Sequence, residues 1–351
     1  MKTIFLSSNS DSVGKTMITI GLTLKLKELG FKVGYMKPLG RKPVRTDYGT
    51  HDEDALFINE VLELKEPLDI VSPFVVDCHS FDGGVSSTTT CACGRVLDAY
   101  PSFSNKDFLL ISGGVDVFDG AAFDIGILKL LKDLDARAII IDKWNGFATA
   151  DTILGAARLY EGRCVGCVIN KVPKNMVSHV RKSIKPFIEK NGVNVLGIIP
   201  VDKLLQALTV RELAETLDGT VVCCERNIDQ YVHNYLIGAM DPESAHKYFR
   251  RVEDKVVITG AHNSEMQIAA LEASAKCIVI TGSVRISDRI IGQAISRGVP
   301  IISVSDDTFT AVQKIESSLG SLTIRAKDKV ARARDIVDRD FNIGTLLEAF
   351  A

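Results

Sequence analysis

The sequence lacks an excess of charge of either sign. Its 351 residues include 42 lysines and arginines and 44 aspartates and glutamates, which gives a formal net charge of -2. This balance creates no general attraction to nucleic acid or to an anionic membrane, so we expect neither as a partner. The chain also lacks an apolar segment as long as a membrane span, and its first apolar run is too short for a signal-peptide core. We therefore expect a cytoplasmic protein.

The sequence also lacks the motifs of two common hydrolase classes. Neither G-x-S-x-G nor H-E-x-x-H occurs, and the six histidines are scattered along the chain. A serine nucleophile with a histidine base, or a zinc protease centre, is therefore not indicated. No internal repeat is evident. A chain of this length with 46% hydrophobic residues can bury more than one core, so we expect two domains.

Eight cysteines are present, and their role has two interpretations. Cys164 and Cys167 have the C-x-x-C spacing of metal and redox motifs, but they lie in an apolar strand-like run that points them to opposite faces. We favour buried, reduced thiols for this pair. A second group has residue types that bind zinc, although structural thiols are favoured here too and the metal hypothesis stays open. Its members are Cys78, His79, Cys91 and Cys93.

Apolar runs of strand length alternate with helical segments throughout the chain. The runs are rich in isoleucine and valine and apolar on both faces, which predicts a mostly parallel sheet covered by helices. We predict an α/β protein with a doubly wound domain over residues 1–217 and a smaller α/β domain over residues 218–351. The segment "SFDGGVSSTTTCACG" is expected to form a surface loop or lid. The charged segment "RAKDKVARARDIVDRDF" is expected to form an exposed helix.

The segment "SSNSDSVGKT" follows the apolar run "TIFLS" and precedes a helical segment. A bound phosphate chain needs backbone N–H donors at a helix start, a lysine near the β and γ oxygens, and a hydroxyl for magnesium. Gly14, Lys15 and Thr16 supply these three groups. The strict G-x-x-x-x-G-K-[ST] pattern fails because Asn9 occupies the position of its first glycine. The position between a strand and a helix nevertheless favours a phosphate-binding loop.

Several motifs in order resemble those of a known family. "SVGKT", "GFKVGYMKP" and "EDAL" are similar to motifs of dethiobiotin synthetase and its relatives, which include the cobyrinic acid a,c-diamide synthase superfamily. The closer resemblance is to proteins that join this P-loop fold to a DRTGG domain, an architecture also found in the amino-terminal region of long phosphate acetyltransferases. "INKVPKN", "VLGIIPVDKLLQALTVREL" and "MQIAALEAS" occur where that architecture has them. The resemblance covers nearly the whole chain.

The resemblance implies ATP and Mg²⁺ as cofactors, and it implies roles for individual residues. Lys15 would contact the β and γ phosphates and Lys37 the phosphate or a substrate carboxylate, which makes both catalytic candidates. Thr16 and Asp54 would hold magnesium, and Asn170 would hydrogen-bond adenine. Structural alternatives are a strand-end lysine, a helix-start aspartate and a turn-capping asparagine. The implied nucleotide-binding residues are Ser12, Val13, Gly14, Lys15, Thr16 and Asn170.

The chain departs from the family pattern at two places. Where the synthetases have a magnesium-binding glutamate before glycine, this sequence has Ser112, whose hydroxyl cannot replace the charge of a carboxylate. Asp116 and Asp119 follow nearby but out of the expected register. In the second domain, "GAHNS" replaces the acidic and basic pair of the DRTGG pattern. Its His262 is interpreted as a loop-surface residue rather than a catalytic base.

Two functions are consistent with these observations. The favoured hypothesis is an ATP-binding regulatory or sensor protein, because a site that lacks one metal carboxylate can still bind nucleotide. Its second domain would form a homodimer contact or bind a small-molecule effector, and it would control a partner enzyme, with acetyl-phosphate metabolism as the setting. The alternative is an ATP-dependent carboxylate-activating ligase of the dethiobiotin synthetase or cobyrinic acid a,c-diamide synthase type.

Overall fold

The computed structural model describes residues 1–47, 49–76, 85–282, 285–321 and 326–351, without the side chains of residues 85–91, 242 and 317–321. These residues form two compact units. The first comprises Met1–Asp202 and Thr323–Ala351, and the second comprises Lys203–Leu322. The division therefore differs from the predicted boundary between residues 217 and 218, and the C-terminal segment groups with the first unit.

Helices separate most strands of the two larger sheets along the described chain, as the sequence predicts. The strands are β1 (Lys2–Ser8), β2 (Val33–Met36), β3 (Leu39–Gly40), β4 (Pro43–Thr46), β5 (Gly49–Asp52), β6 (Phe74–Val75), β7 (Phe108–Ser112), β8 (Arg137–Lys143), β9 (Cys164–Val172), β10 (Val195–Pro200), β11 (Leu208–Thr209), β12 (Thr220–Cys223), β13 (Tyr231–Val232), β14 (Asn234–Ile237), β15 (Lys255–Gly260), β16 (Cys277–Thr281) and β17 (Ile301–Val304). The helices are α1 (Lys15–Glu28), α2 (Glu53–Val61), α3 (Leu68–Val71), α4 (Val85–Ala99), α5 (Ile127–Asp133), α6 (Ala148–Leu159), α7 (Val177–His179), α8 (Lys185–Lys190), α9 (Lys203–Gln206), α10 (Val210–Thr216), α11 (Pro242–Phe249), α12 (Ser264–Glu272), α13 (Asp288–Arg297), α14 (Thr308–Ser321), α15 (Lys327–Asp340) and α16 (Ile343–Glu348).

The core of the first unit is a parallel sheet in the order β10-β9-β8-β1-β7-β2. Its central strands are buried on both faces, which explains why their sequences are continuous apolar runs rather than alternating ones. β1 lies between β7 and β8, so the order of the strands reverses at its carboxyl end. Ligands bind at such switch points in open parallel sheets. The predicted fold class is confirmed.

The charged C-terminal segment forms the predicted helix α15, but the expectation that it is simply exposed is wrong. Ala333, Ile336 and Val337 of α15 are buried, and the helix packs against α1. Their i, i+3, i+4 spacing forms an apolar stripe on one face of the helix. The many charged residues of the segment had suggested an exposed helix instead. The approach is close because α1 has Gly21 at the contact. This packing explains why the C-terminal residues belong to the first unit.

The second unit has a five-stranded sheet in the order β12-β17-β16-β15-β14. β14 to β17 are parallel, and β12 is antiparallel to β17. One core contains residues of α11, α12 and α13, and a second contains residues of α10 and α14. Val210, Leu213 and Leu217 belong to that second core. The boundary consequently lies before α10, whereas the sequence had placed this helix at the end of the first domain.

The expected surface loop over "SFDGGVSSTTTCACG" is wrong for its second part, because α4 begins at Val85. Ala92, Val96 and Ala99 of this helix are buried in the core, so helical spacing of small apolar residues overrides the polar composition. The possible zinc ligands Cys78 and His79, and the side chain of Cys91, lie outside what the structure describes. Among the described residues no cluster of three histidine, cysteine or acidic side chains could hold a metal ion.

Cys164 and Cys167 carry free thiols on β9, as the structural interpretation requires. Burial raises the pKa of Cys164 to about 11 and raises that of Cys167 well above its ordinary value, so both thiols stay protonated near neutral pH. In the described ranges, helices that are both long and apolar enough to cross a membrane are not found.

Two helical glycines test the packing of α15. A Cβ at Gly21 would lie 2.6 Å from the Ala333 carbonyl oxygen and 2.5 Å from Val337 Cγ2, whereas nothing lies within 4 Å of one at Gly155 in α6. We expect Gly21→Ala to lower the free energy of unfolding of the first unit by about 1–3 kcal/mol through overpacking. The matched Gly155→Ala should raise it by about 0.5–1 kcal/mol.

Urea titration followed by fluorescence measures both changes, because the only tryptophan, Trp144, lies in the first unit. Equal stability of the two variants would contradict the observed contact between α1 and α15.

Candidate functional site

The segment between β1 and α1 has the backbone conformation of an anion-binding loop. Gly14 precedes the helix with φ 95°, and Ser12 is also left-handed with φ 58°. A Cβ at Gly14 would lie 2.3 Å from Asn170 Nδ2, so both the conformation and the space require glycine here. α1 then begins at Lys15, and the N–H groups of its first turn have no partner within the helix. These groups can donate to a phosphate.

Lys15 is the cation of this loop. Its Nζ donates a hydrogen bond to Ser8 Oγ at 2.5 Å, and Ser8 Oγ donates to the Val115 carbonyl at 2.9 Å. Within the described ranges it forms no ion pair. Burial lowers the pKa of Lys15 to about 8. The charge of Lys37 also lowers this pKa, whereas the charges of Asp11, Asp119 and Asp54 raise it. An incompletely compensated ammonium group beside free N–H donors favours an anion as ligand. Thr16 follows Lys15 and is half-buried.

Lys37 has the opposite environment. It follows β2 directly, and its Nζ donates to Asp52 Oδ1 at 2.7 Å and to Asp54 Oδ2 at 2.9 Å. Burial favours the neutral amine, but the charges of Asp54 and Asp52 outweigh it and raise the pKa of Lys37. Burial opposes ionisation of Asp54 as well, yet Lys37 and Lys42 lower its pKa. Lys37 is therefore a charged group neutralised by two carboxylates.

Asp52 is a site residue that the sequence analysis missed. Its side chain is completely buried, and it caps α2 by accepting from the N–H groups of Asp54 and Ala55. Its second oxygen accepts from the N–H groups of Arg41 and Lys42 at 2.9 and 3.1 Å. A signal was available, because an aspartate before an acidic first helical turn is a typical N-cap. Asp52 thus holds Lys37, the start of α2 and the turn after β3 together.

Asn170 lies at the end of β9 and contacts the loop after β1. Its Nδ2 donates to the Val13 carbonyl at 2.7 Å, and its Oδ1 accepts from Lys171 N–H at 2.8 Å. The side chain is buried against Gly14. The structure therefore brings Asn170 to the predicted loop, where it fixes the loop backbone. A hydrogen bond from Asn170 to adenine stays a prediction.

The loop after β7 brings a carboxylate toward Ser112. Ser112 is buried at the end of β7, and the chain then folds back so that Asp119 Oδ2 accepts from Val115 N–H at 2.9 Å. Arg41 donates to the same carboxylate through Nε, at 3.2 Å, and through a terminal nitrogen. Burial opposes ionisation of Asp119, but Arg41 and the backbone donors lower its pKa. The position of Asp119 depends on the path of the loop after β7. A sequence motif with fixed spacing does not predict that path.

A second unpredicted carboxylate lies on the other side of β1. Asp142 is buried near the end of β8 and accepts hydrogen bonds from Thr152 Oγ1 and Lys143 N–H. Burial raises its pKa, and Thr152 and Lys143 N–H act against that effect. Asn9 Nδ2 donates to the Thr152 carbonyl at 3.0 Å, which ties the start of the loop to α6. Asp142 therefore supports this side of the loop.

The loop that contains His262 was expected to be a surface feature of the second unit. His262 is exposed, and the neighbouring Asn263 caps α12 by accepting from Met266 N–H at 3.2 Å. This arrangement agrees with a loop-surface histidine.

Comparison with family models identifies both units. Residues 2–209 match the AAA domain, and residues 212–318 match the DRTGG domain. Because the first match covers more than half of the chain, this protein belongs to the AAA domain family. The resemblance inferred from the motifs, a P-loop domain followed by a DRTGG domain, is confirmed.

Curated relatives of two kinds are similar to the chain. A phosphate acetyltransferase of Synechocystis sp. is 22% identical over 282 residues, which are 77% of this chain and 39% of that enzyme. A phosphate acetyltransferase of Pseudomonas putida is 22% identical and matches 96% of this chain and 50% of its own length. The ATP-dependent dethiobiotin synthetase BioD of Nitrosopumilus maritimus is 24% identical over 58% of this chain and 90% of its own. The chain thus spans half or less of these phosphate acetyltransferases.

The two acidic partners of Lys37 should differ when substituted. We expect Asp52→Asn to lower the free energy of unfolding of the first unit by about 2–4 kcal/mol, because an amide cannot accept hydrogen bonds on both sides. Asp54 is 21% exposed, and among the described residues its carboxylate accepts from lysine side chains rather than from backbone N–H groups. Because Lys37 keeps Asp52 as a partner, the matched Asp54→Asn should cost only about 1 kcal/mol. Urea titration of Trp144 fluorescence measures both. If Asp54→Asn is as destabilising as Asp52→Asn, Asp52 is not the anchor described above.

Proposed function

We propose that this protein is an ATP-binding regulatory or sensor protein that binds MgATP at the carboxyl end of β1. The observation that carries this proposal is the contrast between two lysines. Lys15 lies at the phosphate-binding loop without an ion pair among the described residues, whereas Lys37 is paired with two carboxylates. Lys15 has its charge available for the β and γ phosphates, as P-loop binding requires.

The pairing of Lys37 with two carboxylates favours ATP binding without phosphoryl transfer. Catalysis of such transfer depends on positive groups that stabilise the charge of the transferring phosphoryl group. Asp52 and Asp54 together carry two negative charges against the single charge of Lys37, so this group adds no net positive charge to the site. Ser112, which replaces the family glutamate, points in the same direction.

The donors near the loop suit magnesium. Thr16 offers a hydroxyl and Asp54 a carboxylate whose second oxygen is 3.4 Å from Lys42 Nζ. A hard divalent cation prefers oxygen ligands of this kind. With ATP bound, the metal would neutralise charge on the phosphates, while Lys15, the N–H groups of α1 and Asn170 would hold the chain and the loop in place.

The second unit gives the proposed protein its output. We assign to the DRTGG unit either a homodimer contact or the binding of a small-molecule effector, by which nucleotide occupancy would control a partner enzyme. The similarity to phosphate acetyltransferases supports acetyl-phosphate metabolism as the setting. We propose the cytoplasm as the location, with neither nucleic acid nor a membrane as partner, in line with the nearly balanced charge of the sequence.

The alternative function is an ATP-dependent carboxylate-activating ligase. The specific observation in its favour is the match to 90% of the Nitrosopumilus maritimus dethiobiotin synthetase. In this case Asp54 would leave Lys37 for the metal, and Lys15 and Lys37 would then stabilise the transferring phosphoryl group.

The nucleotide site is tested by calorimetric titration with ATP, ADP and AMP in the presence of Mg²⁺. We expect Lys15→Ala to weaken ATP binding by about 100-fold, which corresponds to about 2.7 kcal/mol. Lys25→Ala, at the far end of α1 where Lys25 pairs with Asp338, should bind ATP like the unchanged protein. Failure of ATP to bind, or ATP binding that is indifferent to Lys15, would refute the proposed function.

The same variants separate sensor from ligase. ADP release that requires a carboxylic acid co-substrate and disappears in Lys15→Ala would establish the ligase and overturn the sensor. ATP binding without such release across a series of carboxylic acids is the result that the sensor requires.

The pKa of Lys15 makes ATP affinity depend on pH. With a pKa of about 8, Lys15 changes from about nine-tenths protonated at pH 7 to about one-tenth at pH 9. A phosphate raises this pKa, so binding takes up a proton and the affinity should fall about tenfold over this range. Calorimetry in buffers of different ionisation enthalpy measures the proton uptake. Lys171→Met, whose lysine also has a lowered pKa, should retain it. Constant affinity from pH 7 to 9 would contradict an ATP contact by Lys15.

A further inference from the structure

We propose that Asp119 supplies the second carboxylate to the divalent metal of bound MgATP, in place of the glutamate that Ser112 replaces, and that Arg41 is its counter-ion in the metal-free protein. The inference rests on the proposed nucleotide site and adds a ligand to it. The ligand concerned is a hard divalent cation, represented by Mg²⁺ or Mn²⁺.

The position of Asp119 is fixed relative to Lys15 by a short series of contacts. Lys15 Nζ donates to Ser8 Oγ, and Ser8 Oγ donates to the carbonyl of Val115. The N–H of the same residue donates to Asp119 Oδ2 at 2.9 Å. Ser8, Ser112 and Asp119 also line one small cavity. The Asp119 carboxylate therefore lies at the same crevice as the loop lysine, next to the end of β7.

Two glycines make room for this carboxylate. A Cβ at Gly114 would lie 1.8 Å from Asp119 Oδ2, so a larger residue would displace Asp119. A Cβ at Gly113 would lie 2.6 Å from Phe5 Cε1 and 2.9 Å from the Leu6 carbonyl oxygen, so this residue lets the loop leave β7 tightly against β1. Asp119, five residues further along the chain, fills the space beside Gly114 with its Oδ2 atom.

The partners of Asp119 suit an exchange of cations. Its side chain is only 6% exposed, whereas that of Arg41 is 46% exposed. The half-exposed guanidinium of Arg41 can regain contact with water, and the metal would replace the positive charge that the buried carboxylate loses. Asp119 has no such freedom, since Val115 N–H holds it. A divalent cation that arrives with the phosphates would find an ionised oxygen ligand in place after Arg41 moves away.

Asp116 provides a matched control from the same loop. It carries the same charge, but it is exposed, and its Oδ1 accepts from Phe118 N–H at 2.7 Å in a local turn. Asparagine keeps an oxygen that can accept this bond. Asp116 lines the same small cavity, so Asp116→Asn removes one charge beside the crevice while the buried carboxylate of Asp119 stays in place.

The test is an electron paramagnetic resonance titration of Mn²⁺ into the protein saturated with ATP, in which the signal of free Mn²⁺ gives its affinity. We expect Asp119→Asn to weaken Mn²⁺ binding at least tenfold and Asp116→Asn to change it less than twofold. ATP affinity in the presence of EDTA should be unchanged or higher in Asp119→Asn, because a negative charge near the phosphates is removed. Circular dichroism checks that each variant is folded.

Arg41→Ala separates a metal ligand from a structural ion pair. If the pair only fastens the loop, Arg41→Ala should weaken Mn²⁺ binding as Asp119→Asn does. If Asp119 binds the metal, Arg41→Ala removes a competitor, and Mn²⁺ affinity should stay equal or rise.

Unchanged Mn²⁺ affinity in Asp119→Asn, with tight ATP binding, would overturn this proposal alone. Absence of ATP binding in the unchanged protein would overturn the nucleotide function and this proposal together.

Discussion

A buried ammonium group must be compensated, and this requirement governs the crevice at the carboxyl end of β1. Two lysines reach it from neighbouring parts of the sheet. Lys37 is compensated from within the chain by Asp52 and Asp54, and this compensation also begins α2 and fixes the turn after β3. Among the residues that the structure describes, Lys15 contacts only a hydroxyl oxygen, and burial lowers its pKa to about 8. The charge of Lys37 is thus neutralised within the protein, whereas the charge of Lys15 is available for a ligand.

The sheet order brings these groups together. β1 lies between β7 and β8, so the segments that follow β1, β7 and β8 meet at one edge, and Lys37 enters from β2 beyond β7. Asn170, from β9, completes the arrangement by binding the Val13 carbonyl beside Gly14. The loop backbone is held from the β9 side, while charged groups come from the β2 and β7 side. Such preorganisation lowers the entropy cost of ordering a phosphate-binding loop when its ligand arrives.

The sequence predicted what depends on local pattern. Apolar runs identified the parallel sheet, and "GKT" between a strand and a helix identified the loop at Lys15. The sequence did not predict the features that depend on packing between residues far apart in the chain. Ala333 and Val337 are hidden in a charged segment, yet they pack against Gly21 in α1. The spacing of Asp119 matches no motif. Its position depends on the path of the loop after β7, which Gly113 and Gly114 make possible. Asp52 could have been found as a helix cap, but its contact with Lys37 depends on the tertiary fold.

The most direct test of the account is a crystal structure with a non-hydrolysable ATP analogue and Mn²⁺, whose anomalous signal locates the metal. We expect phosphates at the N-terminus of α1, Lys15 Nζ transferred from Ser8 to the β and γ oxygens, and Lys37 still paired with Asp52. Phosphates bound elsewhere, or Lys37 released from both carboxylates onto the γ phosphate, would contradict the division of roles between the two lysines.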